Sequence, residues 1–385
     1  MPQDPPDNES DLNRLVFGRL VFIKEQLEKN DLYGILITSP DNRRYYSGFL
    51  AKDPMINESS GCLFITQKNN YLFTDSRYTL AASNEAELFE VIDIAKGLGS
   101  ILSNLTSEKS KPDESNPEKS KIAFEPDFFT VRTYLKLLKE LDNLELVASP
   151  FDTSLPRCVK SPSEIELIAK ALDITEQAIA LLWRELKPGW TEERAAWFLD
   201  SRFRELGAQG PAFETIVAAG PRAALPHAVP GPTKIEDGQM VVIDCGAQYH
   251  GYASDISRTF ICGEAQSWQK EIYSTVKKAQ ALAIDAICEG KICSEIDRIA
   301  RDYIADAGYK EFFGHGLGHG VGLAVHEAPR LSGRSSDKLL AGSVVTVEPG
   351  IYLPGRGGVR LEQLVLVTRQ GHRVLNNDRH FYDFQ

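Results

Sequence analysis

The sequence predicts an α+β protein of two domains: a smaller α/β domain over residues 1–155, and a larger one over 156–385 built on a largely antiparallel sheet. Three observations predict this. Short apolar runs alternate with helical patterns as far as Ser149. A new helix opens abruptly at Ser161-Pro162-Ser163-Glu164. Beyond Met240, β-rich runs follow one another as hairpins that carry acidic residues. A chain of 385 residues is long enough for two cores.

In chain order, the opening MPQDPPDNESDLNRL is polar and acidic, and reads as neither a signal peptide nor an anchor. Leu12, Leu15, Val16, Leu20, Ile23 and Leu27 recur at helical spacing from Asp11 to Asn30. LYGILIT then reads as a strand, Ser39-Pro40-Asp41-Asn42 as a turn, GCLFIT and YLFT as strands, and Ser76 to Ala86 as a helix. Thr106 to Lys121 lacks apolar residues and reads as a solvated insertion. KIAFEP resumes a strand, Phe129 to Leu141 a helix, and LELVAS is the last strand of the first domain. The second domain opens on a capping box, in which Ser161 accepts from the third helical amide, Glu164 reaches back and Pro162 takes the first helical position. Thr191 caps a second helix that Gly207 closes, and helices over Gln266–Glu289 and Ser294–Ala307 end at Gly290 and Gly308.

Bulk properties remove several function classes. A net charge of −11 without a basic cluster argues against nucleic acid or an anionic membrane as partner, and no apolar run approaches the ~20 residues of a membrane span. Six scattered cysteines without C-x-x-C spacing fit a reducing, cytoplasmic setting.

The informative stretch lies between Met240 and Glu362. In MVVIDCGAQYHGYASDISRTF, a turn centred on Tyr249 and His250 sets Asp244 opposite Asp255 across a hairpin, where unpaired carboxylates repel unless a cation lies between them. SVVTVEPGIY and GVRLEQLVLV flank a second turn, and Glu348 and Glu362 are symmetric about Gly355. Acids buried in apolar strands are costly unless they are neutralised or coordinated. His319, in the glycine-rich FFGHGLGHGVGLAVHEAP, adds a nitrogen ligand. Each acid alone reads as a solvent-facing strand residue. Four acids with one imidazole suit two divalent ions ~3.5–4 Å apart. An oxygen-rich set of this kind favours Mn²⁺ or a substitute such as Co²⁺, with Zn²⁺ the alternative. Cys245 reads as a small buried residue, His250, His372 and His380 as surface residues, and Trp183, Trp190 and Trp197 as packing.

VVIDCGAQYHGYASDISRTF, GHGLGHGVGLAVHEAP, TVEPGIYLPGRGGVRLEQ and LPHAVPG together resemble the successive signatures of the pita-bread metallopeptidases, in their Xaa-Pro branch of aminopeptidase P and prolidase. YLFTDSRYTLAA is similar to a segment on the aminopeptidase P side. The resemblance implies a pita-bread catalytic domain behind a creatinase-like N-terminal domain, and it matches Asp244, Asp255, His319, Glu348 and Glu362 to the five ligands of a dinuclear centre. It also matches His227 and His326 to histidines that steady the scissile carbonyl, His315 to one lining the proline-ring pocket, and Tyr352 and Arg360 to groups supporting the ligands. Gln363 departs from the pattern, since many relatives carry an acid there.

The implied reaction is removal of an N-terminal residue that precedes proline, by attack of a metal-bridging hydroxide, with Glu348 carrying the proton to the leaving nitrogen. Hydrolysis of Xaa-Pro dipeptides alone is the competing activity, and a metal-free binding protein on the same fold the competing class. The expected partners are peptides with proline second and a second copy of the chain, in a homodimer whose N-terminal domains restrict access to the site.

Overall fold

The computed structural model describes residues 11–53, 55–107, 120–141 and 144–377; the opening decapeptide, most of the 106–121 insertion and His380 lie outside them. The chain divides into two compact units, Met1–Pro156 and Arg157–Gln385.

In the first unit, the helical spacing of apolar residues produces α1 (Asp11–Lys29), which buries Val16, Leu20, Ile23 and Leu27. β1 (Gly34–Ile37) follows. The next segment departs from the expected turn: Ser39 Oγ accepts from the amide of Asn42, Pro40 takes the first position, and Gly48 at φ 82° closes an eight-residue helix, α2 (Pro40–Ser47). Then come β2 (Cys62–Thr66), β3 (Asn70–Thr74), α3 (Thr79–Glu85), β4 (Glu90–Asp93), α4 (Leu98–Ser107), β5 (Ser120–Phe124), α5 (Val131–Glu140) and β6 (Leu144–Ala148). β4 and α4 had no sequence expectation. The sheet runs β4-β3-β2-β1-β5-β6, with β2 antiparallel to its neighbours and the remaining pairs parallel. Leu36, Phe64, Phe73, Ile122, Leu137 and Leu146 fill its core.

The second unit begins with α6 (Pro162–Glu185), on the expected capping box, and α7 (Glu192–Glu205), capped by Thr191. Short strands β7 (Gly210–Pro211) and β8 (Ile216–Ala219) lead to β9 (Gln239–Cys245), β10 (Ala247–Tyr249), β11 (Tyr252–Ala253) and β12 (Ile256–Cys262). After α8 (Ser267–Asp285) and α9 (Cys293–Ile304) come β13 (Gly318–Gly320), β14 (Glu327–Leu331), β15 (Val344–Val347), β16 (Gly350–Leu353), β17 (Gly357–Arg360), β18 (Gln363–Thr368) and β19 (Gly371–Val374). The strands form antiparallel ladders in the orders β12-β9-β8, β11-β10-β7, β14-β13-β15-β18-β19 and β16-β17. α8 and α9 pack Ile272, Val276, Ala283, Ile296 and Ala300 onto Val345, Val347 and Leu361. Trp190 is buried and Trp183 stacks on Phe260 at 4.4 Å, but Trp197 is 72% exposed and does not pack as expected. Among the described residues, no helix is long and apolar enough to cross a membrane.

Candidate metal centre

The first hairpin turns one residue later than its sequence suggests. His250 at φ 42° and Gly251 at φ 77° are its two central residues, and consecutive positive φ angles are what a two-residue type I′ turn requires. Asp244 therefore faces Ser257, not Asp255. The shift moves each partner by two positions, so both acids keep the same sheet face. Asp255, just before β12, still brings a ligand oxygen within 4.8 Å of those of Asp244 and Glu362.

The second pair keeps the expected symmetry. Val347 pairs with Gln363 and Gly350 with Arg360, so Glu348 and Glu362 occupy matching positions in the gap between two ladders. Each of the two expected runs is two strands with a break at the acid. Pro349 cannot donate to a ladder, the amide of Glu348 donates to Leu317 O at 2.8 Å, and that of Glu362 donates to Ser257 O at 3.1 Å.

His319 sits between two glycines because its strand is wedged. A Cβ on Gly318 would lie 2.0 Å from Thr346 O, and one on Gly320 2.2 Å from Ala328 O. With Nδ1 bonded to Gly320 O at 3.1 Å, Nε2 faces Glu348 at 3.2 Å and Asp255 at 3.6 Å. Arg360 supports the acids from behind: Nη2 donates to Asp244 at 2.7 Å, Nε to Ser257 Oγ at 2.7 Å, and Nη1 to Tyr352 OH at 2.9 Å. Tyr352 OH also meets His315 Nε2 at 2.8 Å, and burial pushes its phenol up to about 12.

These residues fit a cation set, and would be a poor apolar core. Asp244 Oδ1 and Glu362 Oε1 are buried without a hydrogen-bond partner among the described residues. Burial, reinforced by the neighbouring acids, pushes the carboxyls of Asp255 and Glu362 well above the usual range. Burial acts on Glu348 in the same direction, but His319, His315 and Arg360 outweigh it and hold Glu348 low. One positive ion per carboxylate pair would remove the mutual repulsion and saturate the orphaned oxygens.

A cavity of about 490 Å³ opens onto the cluster, lined by Phe213, Ile216, His227, His315, His326 and Arg330. His227 and His326 are exposed along it, and His315 is half-buried. His326 stands edge-on to His319 at 4.4 Å and brings a nitrogen within 4.8 Å of the candidate ligand atoms of Asp255 and His319. Burial lowers the pKa of His326, followed by its neighbour His319.

Two features escaped the sequence reading. Glu327, beside His326, is buried and bound by Arg157 Nη2 at 2.5 Å, Lys160 Nζ at 3.0 Å and the amide of Ala324 at 3.0 Å. Burial alone would raise its carboxyl, but the two cations hold it low. Like Glu348, Glu327 is an acid at a strand, and that is the signal by which the sequence marks it. Arg330 is an exposed cation on the cavity wall that no spacing rule marks.

A family model described as "Metallopeptidase family M24" matches residues 166–369, and one described as "Creatinase/Prolidase N-terminal domain" matches residues 19–152. The chain is 37% identical over 358 residues to the Xaa-Pro dipeptidase of Pyrococcus horikoshii, covering 92% of this chain and 95% of that protein. Among solved structures it is similar to an Xaa-Pro dipeptidase from Bacillus anthracis, with a TM-score of 0.86 at 35% identity over 94% of this chain and 98% of that one. It is also similar to an X-Pro aminopeptidase from Thermotoga maritima, with a TM-score of 0.83 at 33% identity over 93% and 97%.

Proposed function

The chain belongs to metallopeptidase family M24 with the pita-bread fold, and from that premise we propose that it hydrolyses the bond between an amino acid and a following proline. The observation that carries this reading is the cluster of four acids and His319, with orphaned oxygens on Asp244 and Glu362, at the floor of a peptide-sized cavity. Asp244, Asp255, His319, Glu348 and Glu362 would hold two divalent ions, Mn²⁺ first among the candidates for such an oxygen-rich set. Bound there, the ions supply an activated water and polarise the scissile carbonyl.

The chain's own side chains do the rest. Glu348, held ionised by His319, His315 and Arg360, accepts a proton and returns it to the proline nitrogen, which must be protonated to leave. His326, whose pKa is lowered by its partial burial, and His227 offer ring N–H groups to the carbonyl oxygen as it gains charge. Arg360 fixes the Asp244 carboxylate and orders Tyr352 and His315, while Phe213 and Ile216 give the proline ring an apolar wall.

Release of one residue from a longer peptide is the activity the TDSRY segment suggests. Arg330 favours the second reading, because a guanidinium on the cavity wall can capture the terminal carboxylate of a dipeptide. Comparing kcat/KM on Ala-Pro and Ala-Pro-Ala-Ala, in wild type and Arg330→Met, separates the two. A loss confined to Ala-Pro supports the dipeptidase, and better turnover of the tetrapeptide supports the aminopeptidase. No cleavage of either substrate with Mn²⁺ present would overturn both.

A further inference from the structure

Gln280 lies on the buried face of α8, 4% exposed, between core residues Val276 and Ala283. Its side-chain amide donates twice, to Val347 O at 2.8 Å and to Leu361 O at 2.7 Å. Those carbonyls belong to the peptide units that immediately precede Glu348 and Glu362. The opposite edges of the same two units are also held, since the Glu348 amide donates to Leu317 O and the Glu362 amide to Ser257 O. A peptide unit is planar, so fixing its carbonyl and its N–H together fixes the orientation of the following Cα.

This matters because the sheet does not do the work there. Between the pairs Val347↔Gln363 and Gly350↔Arg360 the ladder is broken, and the Leu361 amide reaches Pro349 O across the gap only by a long bond of 3.4 Å. The two acids thus leave the backbone where the strands are least tied to each other, and one glutamine amide joins both strands at that place.

We propose that Gln280 is a positioning residue for the metal centre, setting the separation and direction of Glu348 and Glu362 without contacting an ion. The inference rests on the reading of these acids as ligands. A neutral amide suits the task, since it supplies two donors to two carbonyls and adds no charge to an already crowded site.

The test uses metal-stripped full-length protein, with Mn²⁺ titrated by calorimetry and Co²⁺ bound for its visible absorption. Gln280→Met keeps most of the side-chain length but removes both donors, and Gln280→Ala serves if the first variant does not fold. Thermal unfolding of the metal-free proteins is read in parallel. Mn²⁺ affinity about 10–100-fold weaker, with altered Co²⁺ bands, is expected from the loss of such a supporting bond. Unchanged affinity and an unchanged Co²⁺ spectrum, with only a lower melting temperature, would show that Gln280 merely packs and would overturn the proposal. Wild type that takes up no metal would overturn the ligand reading itself, and the proposal with it.

Discussion

Glu125 in the N-terminal unit and Glu362 in the C-terminal unit are both buried acids, 4% and 1% exposed, yet their surroundings differ. Glu125 accepts from the amides of Thr38 and Ser39 at 2.6 Å each, from Asn42 Nδ2 at 2.5 Å and from Thr153 Oγ1 at 2.6 Å. It lies at the start of α2, where the amide of the capping Ser39 needs an acceptor, and burial raises its carboxyl in spite of these donors. Among the described residues Glu362 keeps one oxygen with no hydrogen-bond partner, and it clusters with Asp244, Asp255 and Glu348. Protein donors complete the first acid and leave the second incomplete. A buried carboxylate is therefore informative through what it lacks: full satisfaction marks structure, and a shared deficit marks a place for a cation.

The largest effect that would sharpen this contrast is loss of a candidate ligand. Asp255→Ala or Glu362→Ala is expected to abolish turnover of an Xaa-Pro substrate and to lower bound metal, measured by elemental analysis after gel filtration. His326→Ala should instead retain metal and lose about 10²–10³-fold in kcat, the size found when a donor to a developing oxyanion is removed. Near-normal kcat/KM in that variant would remove the role assigned to His326.

Glu125→Ala probes the other side of the contrast. It strands the Thr38 and Ser39 amides, each at a cost of about 1–3 kcal/mol, so chemical denaturation should show a destabilised N-terminal unit while metal content stays at the wild-type level. Metal loss in this variant would break the separation drawn between the two acids.

The smallest effect is a pH dependence of unusual sign. Asp255 and Glu362 have folded-state pKa values raised by burial and by neighbouring acids, so the folded, metal-free chain holds protons that the unfolded chain has released. Their contribution to stability is complete below the unfolded carboxyl range of about 4 and fades as pH rises through the folded values. The melting temperature of chelator-treated protein should thus have a component that falls with rising pH above about 4, and saturating Mn²⁺ should cancel it. A pH-independent difference between the metal-free and metal-loaded proteins would count against the coupling.

Much of this was legible in the sequence because the signals were local. The Ser161 capping box, the symmetry of Glu348 and Glu362 about Gly355, and the apolar spacing of α1 each depend on neighbours within a few residues. The Asp244–Asp255 register failed on a single turn, since placing it required knowing that His250 adopts a positive φ beside Gly251. α2 was read as a turn because PDNRRYYS is polar and its helix is set by the cap at Ser39, not by apolar periodicity. Gln280 was invisible for a different reason. Its importance comes from partners far along the chain, the carbonyls of Val347 and Leu361, and no spacing rule spans that distance.

Metal stoichiometry tests the dinuclear centre most directly. Protein stripped with chelator and titrated with Mn²⁺ should take up two ions per chain and regain cleavage of an Xaa-Pro peptide with them, and Glu362→Ala should take up fewer than two. A stripped wild type that binds no divalent ion, or that cleaves the peptide at full rate in the presence of chelator, would contradict it.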